Sequence, residues 1–171
     1  MADPLVVVLG PTASGKSELA LRIAQEFCGE IVNFDSIQVY RGFDIGSAKV
    51  PVSARRGIPH HLIDVVDPGQ LFTAGDFARM ARGVLREIAG RNRLPVLVGG
   101  TGFYLRALLE GLSPAPERHD FLRARLLARE DKRRGSLHRI LSRLDPAASA
   151  RIHQNDVKKL VRALELCMLR R

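Results

Sequence analysis

Residues Gly10-Pro11-Thr12-Ala13-Ser14-Gly15-Lys16-Ser17 satisfy the spacing GxxxxGK[ST] and lie between an apolar β-branched run, Leu5 to Leu9, and a helical pattern that starts at Ser17. No other feature of the chain constrains its fold as strongly, because such a loop cradles phosphate only when a strand delivers it and a helix N-terminus follows. The glycines let successive N–H groups turn inward, the helix dipole adds partial positive charge, and Lys16 brings an ammonium to the outer phosphate oxygens. The Ser17 hydroxyl suits Mg²⁺. A turn that merely joined strand to helix would need neither Lys16 nor Ser17.

Three further strands are expected: Glu30 to Phe34 ending at Asp35, His61 to Val66 ending at Asp67-Pro68, and Leu94 to Val98 ending at Gly99-Gly100. Strands without polar alternation imply a sheet covered on both faces, and their alternation with helices implies an α/β fold with a parallel sheet. In the first helix Leu19, Ala20, Ile23 and Phe27 fall on one face. Thr73 with Asp76 at the third helical position forms a capping pattern ahead of the apolar stripe Phe77, Met80, Ala81, Val84, Leu85 and Ile88.

After Gly111 the character changes. Pro114 and Pro116 punctuate, Glu117 to Leu144 is charged and helical in period, Asp145-Pro146 breaks it, and Val157 to Leu169 is amphipathic and runs out on Arg170-Arg171. Its apolar residues Leu160, Val161, Leu164 and Met168 require a packing partner. The expected organisation is residues 1–112 with about 145–171 as a phosphate-loop α/β core, and about 113–144 as an inserted helical subdomain.

The 27 Lys and Arg against 18 Asp and Glu give a net charge of +9, which favours a polyanionic partner such as nucleic acid, although Arg-rich composition also has duller causes. Arg118, Arg123, Arg125, Arg129, Lys132, Arg133 and Arg134 concentrate that charge in the helical stretch. Cys28 and Cys167 stand far apart without metal-ligand spacing, which fits a reducing cytoplasm. The N-terminus lacks the pattern of a signal peptide, and no window has the ~20 apolar residues of a membrane span. Adjacent His60 and His61 face opposite sides of a strand, which argues against a shared ion. Tyr40, Phe103 and Tyr104 suit either base stacking or a core.

A phosphate loop alone does not define a nucleotide hydrolase. Hydrolases and kinases carry a second apolar strand that ends in a carboxylate for Mg²⁺, whereas Leu94 to Val98 runs into Gly99-Gly100-Thr101-Gly102. This argues for a loop that holds a diphosphate leaving group while another residue does the chemistry. Asp35, at the carboxyl end of the second strand, faces the mouth where ligands of open α/β sheets gather, and Thr101 reaches the same mouth. Capping of a local helix is the plainer role for each.

The runs Asp35-Ser36-Ile37-Gln38-Val39-Tyr40-Arg41-Gly42 and Asp44-Ile45-Gly46-Ser47-Ala48-Lys49 resemble the segment that follows a GPTASGKS-type loop in tRNA dimethylallyltransferases. Further matches follow in family order at His60-His61-Leu62-Ile63-Asp64, Gly99 to Tyr104, Leu144-Asp145-Pro146, Arg151-Ile152-His153, Asn155-Asp156 and Arg162-Ala163-Leu164-Glu165. The resemblance implies a P-loop NTPase-like fold and transfer of dimethylallyl from dimethylallyl diphosphate, with Mg²⁺, to the exocyclic amine of the adenosine on the 3′ side of the anticodon in tRNA. It implies that Asp35 is the general base and Thr101 its hydrogen-bonding partner. Gly10 to Ser17 would bind diphosphate or nucleotide, the ATP-binding signature of such loops. Asp35, Ser36, Ile37, Gln38, Thr101, Arg123, Lys158, Lys159, Leu160, Val161 and Arg162 would contact tRNA. The resemblance also implies a cytoplasmic monomer, and an N-terminal portion of a longer architecture that continues with an RQxTWFR-like segment absent from this sequence. Ser47, Gln154 and Arg170-Arg171 depart from the family pattern. Alternatives are a phosphate-loop kinase of a small metabolite, a prenyltransferase of free adenine nucleotide, and a catalytically silent tRNA-binding module.

Overall fold

Strands β1 (Val6–Leu9), β2 (Gly29–Asn33), β3 (His60–His61) and β4 (Leu94–Gly99) form one parallel sheet in the order β1-β4-β2-β3 in the computed structural model. The structure describes residues 4–112 and 115–169; Met1-Ala2-Asp3, the breaker Pro114 and the terminal Arg170-Arg171 lie outside the described residues. Parallel strands need crossovers. Here α1 (Lys16–Glu26) links β1 to β2, α2 (Ala74–Gly90) links β3 to β4, and α3 (Gly102–Leu109) follows β4.

Alternate strand residues feed opposite faces. Val8, Ile31, Val96 and Val98 pack against Ala20, Leu21 and Ala24 of α1, while Val32, Phe34 and Leu97 pack against Phe77, Ala81 and Ile88 of α2 and Tyr104 and Leu108 of α3. The sheet is therefore covered on both faces, as its unbroken apolar strands require. Thr73 accepts a hydrogen bond from the Asp76 N–H at 3.2 Å, and Asp76 accepts one from the Thr73 N–H at 3.1 Å, which closes the capping box of α2.

Three expectations fail locally. Leu19 and Phe27 are 52% and 62% exposed, and the buried face of α1 is instead Ala20, Leu21 and Ala24. The cause is close approach. A Cβ on Gly29, the first residue of β2, would stand 3.2 Å from the Ala24 Cα, so at this end the helix lies too near the sheet for a side chain larger than that of Ala24. The third strand has two residues rather than six, because Leu62 and Asp64 adopt left-handed φ values of 60° and 57°. Asn33 Nδ2 donates to the Leu62 carbonyl at 2.9 Å, and the chain then pairs with the segment after Asp35: Val65 N donates to Val39 O at 2.8 Å. In α2, Met80 is exposed and Ala78 takes a buried place.

The chain divides into two compact units, Met1–Leu112 and Ser113–Arg171. The second contains α4 (Asp120–Lys132), α5 (Ser136–Leu144), α6 (Pro146–Arg151) and α7 (Val157–Leu169). The helical pattern from 117 to 144 is thus two helices, parted at Gly135, whose φ is 76°. Glu130 is buried there and accepts from the N–H groups of Gly135 at 2.6 Å and Leu137 at 2.9 Å, and from the Ser136 hydroxyl at 3.1 Å. Burial alone would raise its carboxyl pKa, but these donors hold it below the ordinary value. Asp145 caps α6 by accepting from Ala148 N at 2.8 Å, with Pro146 at the first helical position, where its missing N–H costs nothing.

Residues 145–171 belong to this helical unit, not to the sheet core. Leu160, Val161 and Leu164 of α7 pack on Leu126 of α4 and Leu137 and Leu141 of α5. The apolar face of α7 thus finds its partner on the neighbouring helices of the same unit. Among the described residues no helix is long and apolar enough to cross a membrane.

Candidate functional site

The loop from Gly10 to Gly15 leaves β1 and enters α1 at Lys16. Ala13 and Gly15 both have positive φ, 63° and 78°, which curls the backbone. A left-handed glycine costs little; an alanine there is strained and marks a conformation imposed by the loop. No side chain caps α1, so the N–H groups of its first turn are available to an anion. Lys16 Nζ donates to the Pro11 carbonyl at 2.9 Å, which holds the ammonium across the loop. Pro11, Thr12, Ala13 and Ser14 are exposed, and Lys16 and Ser17 half-buried.

Gly99 and Gly100 bring β4 close to this mouth. A Cβ on Gly99 would fall 2.7 Å from Phe34 Cδ2, and one on Gly100 would stand 3.3 Å from the Gly10 carbonyl. Absence of side chains at the end of β4 is therefore what lets β1, β4 and β2 open side by side.

Asp35 follows β2 at this carboxyl edge and is half-buried. Its Oδ1 accepts from Ile37 N at 2.8 Å and from Gln38 N at 3.3 Å, an Asx turn that orients the carboxylate; its Oδ2 has no hydrogen-bond partner among the described residues. Thr101 does not cap α3 with its side chain. Its Oγ1 accepts from Ser36 N at 3.0 Å and donates to Ser36 Oγ at 3.2 Å. The bond expected between Thr101 and Asp35 thus goes to the next residue, and Thr101 positions the Asp35 turn through the backbone.

Two residues that sequence reasoning passed over support this loop. Asn33 is buried and, besides holding Leu62, accepts from Asp35 N at 3.1 Å. Lys49, its side chain 4% exposed, donates to Asp64 at 2.6 Å, to Asp44 at 2.7 Å and to the Tyr40 carbonyl at 2.9 Å. Burial alone would lower its ammonium pKa, yet the two carboxylates keep it above the ordinary value. Gln38 Nε2 donates to Ser47 O at 2.8 Å, so its side chain ties the two ends of this loop together. Asn33 signals itself only as a polar residue in an otherwise apolar strand, whereas Gln38, Asp44, Lys49 and Asp64 lie in the runs that carry the family resemblance.

Ile37, Tyr40, Phe43, Pro68, Gln70 and Leu71 line an open apolar hollow of about 400 Å³ beside the Asp35 turn. Tyr40 and Phe43 meet edge to face at 6.0 Å, and Tyr40 donates to Gln70 O at 3.2 Å. Tyr104 belongs to the core, stacked on Phe77 at 4.7 Å, while Phe103 is exposed. His61 faces Glu30 at 2.7 Å and His60 faces the Ile58 carbonyl at 2.8 Å.

In the helical unit, Lys158 and Lys159 are exposed and Arg162 is half-buried, but Leu160 and Val161 are core residues at 0% and 4% exposure. Their side chains do not face solvent, because α7 turns that face to α4 and α5. Arg123 is not a free surface arginine: its Nε and Nη2 grip Glu165 at 2.8 and 2.7 Å. Arg125, Arg129 and Lys132 of α4, with Arg133 just after it, line a shallow basic hollow.

A parallel sheet with a curled GxxxxGKS loop at its carboxyl edge defines a phosphate-loop α/β protein. Residues 38–171 match the family IPP transferase, and residues 4–64 match the family Isopentenyl transferase. The chain belongs to the IPP transferase family. It is 66% identical to the tRNA dimethylallyltransferase of Solibacter usitatus over 97% of this chain and 54% of that relative, and 55% identical to that of Koribacter versatilis over 100% and 56%. Among solved structures, it superposes on the full-length tRNA isopentenylpyrophosphate transferase of Bacillus halodurans with a TM-score of 0.65 and 42% identity, over 98% of this chain and 56% of that one. A eukaryotic dimethylallyltransferase acting on tRNA superposes with a TM-score of 0.78 and 30% identity, over 94% and 40%. The chain spans about half the length of the curated relatives it matches.

Proposed function

We propose that this chain supplies the diphosphate-binding and base-activating part of a tRNA dimethylallyltransferase. The observation that carries this reading is the shared opening of the phosphate loop and the Asp35 turn at one carboxyl edge of a parallel sheet whose fourth strand ends in glycines rather than a carboxylate.

Dimethylallyl diphosphate would rest its diphosphate on the N–H groups of Gly10 to Ser17 and on Lys16. Cleavage of the allylic C–O bond sends its electron pair to diphosphate, where Lys16 and the loop amides stabilise the charge. The exocyclic amine of the target adenosine forms the new C–N bond, and Asp35 Oδ2 takes the proton that this nitrogen sheds. Thr101 keeps the carboxylate in place through Ser36. The Ser17 hydroxyl, with phosphate oxygens and water, suits Mg²⁺, which takes few protein ligands and would neutralise charge on the diphosphate.

The acceptor is the adenosine 3′ to the anticodon, a base in a single-stranded loop that leaves its stack at modest cost. Ser36, Ile37 and Gln38 border its approach, and Arg123, Lys158, Lys159 and Arg162 face the RNA backbone. Leu160 and Val161 serve that contact only by packing α7. This work belongs to the cytoplasm, and a monomer suffices for it.

Calorimetric titration with dimethylallyl diphosphate and Mg²⁺ tests the reading. Binding by the wild type, weakened at least about tenfold by Lys16→Ala, is expected, a loss of about 1.4 kcal/mol. Turnover of ATP with no prenyl donor would point to a kinase instead.

A further inference from the structure

Residues 36–49 leave the Asp35 turn and are held by turns, an isolated bridge between Tyr40 and Val66, and polar ties, rather than by a helix or a strand ladder. Lys49 closes this stretch. An ammonium has three N–H donors, and Lys49 spends all three: on Asp64 Oδ1 at 2.6 Å, on Asp44 Oδ1 at 2.7 Å and on the Tyr40 carbonyl at 2.9 Å.

Two chains of hydrogen bonds lead from this ammonium to the Asp35 carboxylate. Asp64, gripped by Lys49, donates its N–H to the Gln38 carbonyl at 3.2 Å, and the Gln38 N–H donates to Asp35 Oδ1 at 3.3 Å. Tyr40, gripped at its carbonyl, donates its N–H to the Ile37 carbonyl at 3.0 Å, and the Ile37 N–H donates to Asp35 Oδ1 at 2.8 Å. Both donors that orient the carboxylate are thus fixed from behind, each through one residue that Lys49 touches. Gln38 Nε2 adds a third tie, to the carbonyl of Ser47, two residues before Lys49.

Asp64 makes its bond to Gln38 from left-handed backbone, φ 57°, a conformation that persists where its neighbours over-determine it. Stability alone is a weak reason to bury this ammonium, since an apolar side chain in place of a buried ion cluster is often no worse. What an apolar side chain cannot supply is a simultaneous hold on Asp64 and Tyr40.

We propose that Lys49 is the positioning residue of the general base: through Asp64 and Tyr40 it fixes Gln38 and Ile37, and these two fix the Asp35 carboxylate for the acceptor amine. This rests on the prenyl-transfer reading above and deepens it. Lys49 itself touches neither substrate.

The test is Lys49→Met in the 171-residue chain, with two readouts. In hydrogen exchange followed by NMR, the Ile37 and Gln38 amides should exchange at least about tenfold faster than in the wild type, while Ala20 and Leu21 of α1 keep their rates. Single-turnover transfer into the anticodon stem-loop should slow about 10 to 100-fold, with calorimetric affinity for dimethylallyl diphosphate unchanged. A lysine that only stabilised the fold would speed exchange in α1 as well and leave transfer by the folded protein at the wild-type rate. Unchanged exchange at Ile37 and Gln38, an unchanged transfer rate, or a fall in donor affinity that matches the fall in rate would overturn the inference. If Lys49→Met does not melt cooperatively, Asp64→Asn takes its place with the same outcomes, because asparagine tolerates left-handed backbone and lacks the charge that grips Lys49. A wild-type chain that transfers no label would overturn the prenyl-transfer reading instead, and exchange at Ile37 and Gln38 then decides alone whether Lys49 holds the turn.

Discussion

Thr101 Oγ1 lies 3.0 Å from the backbone nitrogen of Ser36 and 3.2 Å from its hydroxyl, joining the ends of β4 and β2 across 65 residues of sequence. Asp35, one residue earlier, spends one carboxylate oxygen on its own turn and leaves the other without a hydrogen-bond partner among the described residues. The Asp35 turn is thus held by a neighbour that need not touch its carboxylate.

Thr101→Val keeps the shape and removes both bonds. Loss of the acceptor for Ser36 N–H should cost about 1 kcal/mol of stability. Misplacement of the Asp35 turn should slow prenyl transfer by about 10 to 100-fold. Thermal melting and single-turnover transfer, measured on the same preparation, separate the two effects.

Gly99→Ala would place a methyl group within 2.7 Å of Phe34 Cδ2 and 2.8 Å of its carbonyl carbon, where neither neighbour is a flexible chain end. Overpacking of this kind costs about 1 to 3 kcal/mol. Urea unfolding should show a lower midpoint with an unchanged slope.

How much of this is legible in the sequence depends on range. The phosphate loop, the Thr73–Asp76 box and the span of α7 are local patterns, and the chain states them directly. The shortness of β3 is not local: Leu62 turns left-handed where Asn33, 29 residues away, captures its carbonyl. Likewise the buried face of α1 follows from the closeness of Gly29 to Ala24, which periodicity cannot register. The strand ends place Asp35 and Thr101 at one mouth, but not the choice of Ser36 over Asp35 as partner. Nor does a charge run reveal that Arg123 and Arg162 share Glu165, since solvated and committed arginines look alike in a sequence.

Thr73→Ala removes the side-chain half of the α2 capping box. A loss of about 1 kcal/mol is expected. Because Thr73 and Asp76 lie at the exposed start of α2, a drop in melting temperature without a change in diphosphate affinity is the anticipated result.

Acid stability should report on Glu165. Its carboxyl pKa is lowered to about 2, first by the hydrogen bonds from Arg123, against the opposing effect of burial. A depressed folded-state pKa contributes stability above the unfolded value of 4.5, and that contribution is lost as pH falls towards about 2. Urea midpoints should therefore decline across this window, and Glu165→Gln should flatten that part of the decline. An unchanged decline in the variant would assign it to other carboxylates.

The most direct test of the central claim is transfer of radiolabelled dimethylallyl from its diphosphate into an unmodified anticodon stem-loop, with Mg²⁺, by the wild type and by Asp35→Asn. Label on the exocyclic amine of the adenosine 3′ to the anticodon, abolished in Asp35→Asn while calorimetry shows diphosphate binding retained, is the predicted result. Retention of most transfer by Asp35→Asn, or no transfer by a wild type that instead hydrolyses ATP, would contradict it.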